Sequence, residues 1–329
     1  MRRRFLLLIA AMLAAAAVTS ALAFARGTAS IGTGVVTVTT RQSYEGTAAA
    51  GTGMVLTSTG EVLTNNHVIS GATSVVVAVP GTRHLYAARV VGYSVANDVA
   101  VLQLTGASNL KTVSISTAPA GRGLRVHAVG NAGGSGTLVR VAGRITGTGK
   151  TITAADDQGN TEKLVGLLET DADVVPGDSG GPLLDSSERV VGMVTAASTN
   201  GAFRFENASI SDAYAIPIGK ATTVAAAIAA GQSSSSIHIG PTAFLGVQLS
   251  TGTAGGAVVA SVVPGGPAYK AGLVEGDLID AIDGYTVTSS SQVGTIVLTK
   301  KPGQTIRVRY LDSSGSHTVT VKLGSGPPR

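Results

Sequence analysis

Between Val35 and Gly219 the chain alternates short apolar segments with clusters of Gly, Asn and Asp, at a spacing of roughly ten residues. Val35–Thr40, Gly53–Thr57, Ser74–Val79, Ala87–Val91, Ala100–Leu104, Arg125–Val129, Leu138–Ile145, Leu164–Glu169, Val190–Ala196 and Asp212–Ile216 are the predicted strands. Their number and spacing predict a pair of packed antiparallel barrels with a cleft between the two halves. Lys220–Ala230 is alanine-rich and reads as a helix, and Gln232-Ser233-Ser234-Ser235-Ser236 reads as a flexible linker. One region breaks the pattern: Phe5–Val18 is apolar without interruption and follows Arg2, Arg3 and Arg4.

That N-terminal region has the charged, apolar and small-residue order of an export signal. Ala23-Phe24-Ala25 places cleavage after Ala25, with Ala21-Leu22-Ala23 as a second site, so residues 1–25 are assigned to the signal. The competing reading is an uncleaved anchor over Phe5–Ala25 that tethers the chain to a membrane. Both readings put the remainder outside the cytoplasm, secreted or in the cell envelope.

Composition narrows the class further. At 329 residues the chain is long enough for two or three domains with sizeable cores. Valine, threonine and glycine dominate and charge is sparse, which favours strands over amphipathic helices. No cysteine is present, so disulfides and thiolate metal ligands are excluded. Tryptophan is absent and aromatic residues make up 4%, leaving little for stacking on bases. Of 24 basic residues three are Arg2–Arg4, and residues 1–25 contain no acid, so the rest carries 21 basic against 19 acidic residues. That balance argues against a nucleic-acid partner. No cofactor or metal is implied. Gly130–Gly136 lacks the Lys-Ser/Thr and helix of a phosphate loop, and Asp156–Asn160 lacks the closing glutamate of a calcium loop and reads as a surface hairpin.

Candidate chemistry centres on Gly177-Asp178-Ser179-Gly180-Gly181-Pro182. The glycines open backbone conformations closed to other residues and leave room for a substrate carbonyl. Successive N–H groups in such a turn can converge on an oxyanion. A serine nucleophile needs a base, and the base needs an orienting group. Of five histidines only His67 follows a buried hairpin, the run Gly53–Thr57, a turn at Thr59-Gly60, then Val62–Ile69. Asp98 stands at the mouth of the apolar run Val99–Leu102, where an unpaired carboxylate is costly and an imidazole N–H is a suitable partner. His84 reads as solvated and His127 as a strand residue. The proposed set is His67, Asp98 and Ser179.

The segments TNNHVI, NDVAVLQL and GDSGGPLL, in this order, resemble the chymotrypsin-like serine peptidases, in particular the HtrA (high-temperature-requirement A, Deg-type) branch. After the linker, Gly265–Gly284 and Phe244-Leu245-Gly246-Val247 resemble an HtrA-type PDZ domain. The resemblance runs from about Val35 to the C-terminus. It implies a mostly β fold, a chymotrypsin-like double antiparallel β-barrel over residues 33–219, and a small α+β PDZ domain over 243–325. Residues 220–242 supply the helix and linker. It further implies a serine endopeptidase acting on unfolded or flexible polypeptides, with the backbone N–H groups of Gly177 and Ser179 as the oxyanion hole. The substrate would lie extended against Thr195, Ala196 and Ala197. The loop Phe244-Leu245-Gly246-Val247 would capture peptide C-termini beside a helix at about Ser291–Thr299. Gly130–Gly136 corresponds to a mobile loop near the active site, and homotrimers are common in the family.

Two positions depart from that branch. Asp178 stands where asparagine is usual, and the sequence leaves its partner open. Asp173 falls where trypsin-like members place the carboxylate that reads Arg or Lys, and predicts cleavage after basic residues, against the alternative of a solvated loop acid. The competing function is a dormant, chaperone-like protein binding peptides through the PDZ domain; the intact His67, Asp98 and Ser179 argue against it.

Overall fold

In the computed structural model the described residues are 31–329, apart from Glu45 and residues 156–160, 198–203, 207–212 and 253–254. The residues expected to form an export signal (1–25) and a surface hairpin (Asp156–Asn160) lie outside them.

Six strands build the first barrel: β1 (Val35–Gln42), β2 (Thr47–Val55), β3 (Glu61–Thr64), β4 (Ser74–Ala78), β5 (Leu85–Ser94) and β6 (Val99–Leu104). They pair antiparallel in the order β5-β4-β1-β2-β3-β6, and pairing of β5 with β6 closes the ring. A four-residue helix, α1 (Asn66–Ile69), caps the end of β3. The alternation seen in the sequence sorts side chains between faces: in β4, Val75 and Val77 are buried while Ser74 and Val76 are exposed. β6 is apolar on both faces because it serves two cores. Ala100, Leu102 and Leu104 fill the barrel interior, and Val99 and Val101 enter a second cluster shared with the other half.

The second barrel holds β7 (Ser114–Ile115), β8 (Arg125–Gly130), β9 (Val139–Ala155), β10 (Thr161–Thr170), β11 (Pro182–Leu184), β12 (Arg189–Ala197), β13 (Arg204–Glu206) and β14 (Ala213–Pro217). The order β10-β14-β12-β11-β8-β9 is closed by pairing of β9 with β10. Met54, Leu63, Val99 and Val101 of the first barrel meet Val129, Leu184, Met193 and Ile216 of the second in one apolar seam. Helix α2 (Ile218–Ala229) covers that seam with Ile218, Ala221, Val224, Ala225 and Ile228.

Beyond α2, β15 (His238–Ile239) returns to pair with β5 of the first barrel. The third unit contains β16 (Thr242–Phe244), β17 (Val247–Thr251), β18 (Ala257–Val262), α3 (Pro267–Lys270), β19 (Leu278–Ile282), β20 (Tyr285–Thr286), α4 (Ser290–Leu298), β21 (Thr305–Asp312), β22 (Gly315–Lys322) and β23 (Gly324–Gly326). Its sheet runs β17-β18-β19-β21-β22, with β17 at one edge. Ala257, Val259, Ile279, Val293 and Val308 are among the residues of its own core.

Most predicted strands are present within a few residues. Two differ substantially. The strand predicted to end at Ile145 continues to Ala155, because the Gly- and Thr-rich continuation pairs with β10 through several register shifts. The strand predicted from Gly53 begins at Thr47, where Ala48–Ala50 pair with Thr39–Arg41.

Candidate active site

The β2–β3 hairpin delivers His67. Thr64 ends β3, Asn65 is extended, and α1 begins at Asn66. Val68 and Ile69 anchor α1 in the first barrel's core, which leaves His67 half-buried on the other side. Asp98 arrives from the β5–β6 turn with φ +50°, a left-handed conformation that aspartate tolerates better than most residues. It is 6% exposed. Its Oδ1 accepts the backbone N–H of His67 at 3.0 Å and its Oδ2 faces Nδ1 of the ring at 2.9 Å. A carboxylate oxygen accepts, so this contact suits an Nδ1–H donor on the ring. The Asn65 side-chain amide donates to the Asp98 carbonyl at 2.9 Å, which ties the turn to the helix start.

Thr195 adds a further contact that the sequence reading missed. Its buried hydroxyl donates to Asp98 Oδ2. Val194 pairs with Ala215 and Ala196 with Tyr214, so Thr195 is the extra residue of a β-bulge. A bulge re-aims a side chain against the two-residue alternation, which is why strand periodicity gave no sign of it. The expected substrate edge, Thr195–Ala197, is the end of β12; the Thr195 hydroxyl itself is committed to Asp98.

Ser179 is half-buried in the loop between β10 and β11. Gly180 N–H donates to the Val194 carbonyl, and Val194 N–H to the Gly181 carbonyl, both at 2.9 Å. The loop is thereby stitched beside Thr195 and, through it, Asp98. From the first barrel, Thr52 N–H donates to the Ser179 carbonyl at 2.8 Å. Gly51 is closed to any side chain: a Cβ there would lie 2.7 Å from Val68 of α1 and 3.2 Å from the Ser179 carbonyl oxygen. The helix bearing His67 and the serine loop thus close on the same glycine. Gly177 and Gly180 have φ of +100° and +86°. At both positions a Cβ would run into a carbonyl oxygen, that of Asn131 and that of Thr52 respectively.

Asp178 is 4% exposed. Its Oδ2 accepts from Val175 N–H at 3.0 Å, and its Oδ1 has no hydrogen-bond partner among the described residues. Burial pushes its carboxyl up to about 6; the Val175 N–H opposes the shift and the charge of Asp173 adds to it. Asp173 itself is exposed. The loop expected to move near the site, Gly130–Gly136, contains a short 3-10 turn at Ala132–Gly134, and Gly133 N–H donates to the Pro176 carbonyl at 2.8 Å. His84 is exposed beside Tyr86, and His127 lies on β8 with its Nδ1 buried and without a hydrogen-bond partner among the described residues.

In the third unit Gly246 has φ +82°, and the carbonyls of Leu245 and Gly246 accept from Ala268 and Val263 N–H at 2.9 Å. Leu245 is buried in the core and Val247 begins the edge strand β17. Phe244 stacks on Tyr44, from the β1–β2 turn of the first barrel, with ring centroids 5.1 Å apart.

Residues 51–193 match the family described as Trypsin-like peptidase domain, and residues 243–323 match the PDZ domain family. Two barrels bearing a His–Asp pair and a glycine-flanked serine, followed by a PDZ fold, match the architecture of a trypsin-like peptidase domain with an appended PDZ domain. The chain is 31% identical over 302 residues to the serine protease PepD of Mycobacterium tuberculosis, covering 86% of this chain and 61% of that protein. It is 30% identical over 276 residues to the periplasmic pH-dependent serine endoprotease DegQ of Escherichia coli, covering 81% and 57%. It thus spans less than two thirds of these curated relatives. The solved structure of the HtrA-type protease AlgW with a tripeptide has 27% identity and a TM-score of 0.51, and the match covers 90% of this chain and 95% of that one. The trypsin-like and PDZ matches in this order, together with these relatives, support an HtrA-type serine protease.

Among the described residues no helix is long and apolar enough to cross a membrane.

Proposed function

We propose that this chain is an exported serine endopeptidase that hydrolyses unfolded or flexible polypeptides and takes peptide C-termini in its PDZ domain. The observation that carries the reading is the doubly held His67–Asp98 pair mounted beside a serine loop pinned to both barrels. The Ser179 hydroxyl attacks the scissile carbonyl while Nε2 of His67 takes its proton. The carbonyl electron pair moves onto oxygen, where Gly177 and Ser179 N–H stabilise it, a term of about 3–4 kcal/mol per donor in related chemistry. Collapse expels the amine, which receives the proton from His67, and water repeats the sequence on the acyl-enzyme. Asp98 holds the ring's tautomer and stabilises the imidazolium.

The substrate would pair with the end of β12 at Thr195–Ala197, which requires an extended chain and so favours unfolded polypeptide. Asp173 would favour Arg or Lys before the cut bond; equal cleavage of matched Arg and Val peptides would remove that assignment. In the PDZ domain, a peptide would add to the β17 edge across from α4, with its carboxylate at the Phe244-Leu245-Gly246-Val247 loop. Extracytoplasmic location follows the periplasmic relatives.

Casein digestion by the purified chain beside its Ser179→Ala variant tests the reading. Digestion by the parent and its loss in the variant are expected. Equal digestion by the two, or none by either, would overturn it.

A further inference from the structure

Every carbonyl from Val175 to Ser179 is occupied. Val175 accepts from Asp178 N–H (3.1 Å), Pro176 from Gly133 N–H (2.8 Å), Asp178 from Gly181 N–H (2.9 Å) and Ser179 from Thr52 N–H (2.8 Å). The Gly177 carbonyl accepts from the Thr52 hydroxyl at 2.7 Å. Carbonyl and N–H of a trans peptide point in opposite directions. Holding the Pro176 and Asp178 carbonyls therefore aims the N–H groups of Gly177 and Ser179 the other way. Those are the two donors assigned to the oxyanion.

Of the five bonds, the two that come from the first barrel both come from Thr52. The residue is fully buried in β2. Its hydroxyl has one proton, and the neighbouring groups decide the direction of that proton. Asn131 N–H, which can only donate, fills an acceptor site of the hydroxyl at 2.8 Å. The proton is left for the Gly177 carbonyl. A single side chain thus joins β2, the Asn131 turn and the serine loop. The Thr52 carbonyl in turn accepts from the Thr64 hydroxyl at 2.7 Å, two residues before α1.

We infer that Thr52 is a positioning residue that fixes the serine loop, and with it the oxyanion donors, against the barrel carrying His67 and Asp98. The inference rests on the hydrolase reading above. It is specific to the hydroxyl: valine has the same shape and would leave both the Gly177 carbonyl and the Asn131 N–H without their partner in a dry site. Of the two bonds that the first barrel gives to these carbonyls, only the one from the backbone N–H of residue 52 would remain. A misplacement of the donors acts on the transition state, where charge reaches the oxygen, and little on substrate binding.

The test compares the parent with T52V and T52S on a peptide substrate. T52V is expected to lose about tenfold to a hundredfold in kcat with KM nearly unchanged. T52S, which keeps the hydroxyl, is expected to recover most of that loss. A peptide boronic acid, which places an oxygen at the oxyanion position, is expected to weaken in parallel with kcat. The same peptide with its scissile amide reduced should bind T52V as it binds the parent. If T52V fails to give a cooperative thermal melt, T52A is measured in its place with the same expected split. An active parent with T52V undiminished, with T52S as slow as T52V, or with the whole loss in KM overturns the inference alone. An inactive parent, or an active Ser179→Ala chain, overturns the hydrolase reading and the inference with it.

Discussion

Asp178 carries a cost that depends on pH. Its pKa in the fold, about 6, lies above the 3.8 of an unperturbed aspartate, so the fold binds its proton more tightly than the unfolded chain does. The sign follows: this group's stabilisation is full below about pH 3.8 and is lost as pH rises through 6, a swing of about 3 kcal/mol. Asp178→Asn keeps the shape and cannot ionise. Melting temperatures of parent and variant are expected to draw apart in the variant's favour between pH 4 and pH 7, and to run parallel above that. A gap that does not change with pH would contradict the account. Legibility at this scale followed chemical rarity. One histidine among five stood after a buried hairpin, and one aspartate stood before a buried strand, so both could be read. The place of Thr52 and the contact of Thr195 with Asp98 could not, because threonine is an ordinary strand residue here and the partners lie 79 to 125 residues away.

Strands were legible where alternation is clean, as in β4, or where a doubly buried run stands between turns, as in β6. They were obscure where pairing outweighs pattern. The second half of β9 reads Thr146-Gly147-Thr148-Gly149-Lys150 and owes its extension to β10. Helix α1 has four residues, too few to show a period. Glycines divide in the same way. At Gly180, φ +86° and the Thr52 carbonyl leave no space for a methyl group, so Gly180→Ala is expected to abolish casein digestion. At Gly219, inside α2, a Cβ meets nothing within 4 Å. Gly219→Ala is therefore expected to raise stability by roughly 0.5–1 kcal/mol with activity kept. Chemical denaturation of both variants checks the pair, and a stable, active Gly180→Ala would refute the crowding argument.

At the scale of the whole molecule the PDZ domain is docked by specific contacts. Phe244 stacks on Tyr44, the Tyr93 hydroxyl lies 3.1 Å from Thr242 Oγ1, and the ring of His238 lies 5.0 Å from that of Tyr93. The last residues continue the contact: Gly71 N–H donates to the Pro328 carbonyl at 2.8 Å, and the Asn66 amide to the Arg329 carbonyl at 2.9 Å. None of this was legible in the sequence, since β16 and β23 are three residues each and pair across the full length of the PDZ fold. Tyr44→Ala removes a stack worth about 0.5–1.5 kcal/mol. In a Ser179→Ala background, so that the proposed activity plays no part, it is expected to speed nicking of residues 231–237 by added subtilisin, while Tyr44→Phe is not. Identical nicking of the three chains would mean that the stack does not hold the domains together.

The return of β15 to the first barrel has a consequence for anyone dissecting the molecule. A cut in the serine-rich stretch before it would not release two finished halves. The two-barrel portion would lose an edge strand and the cover over Tyr93, while its former neighbour would carry away a fragment of someone else's sheet.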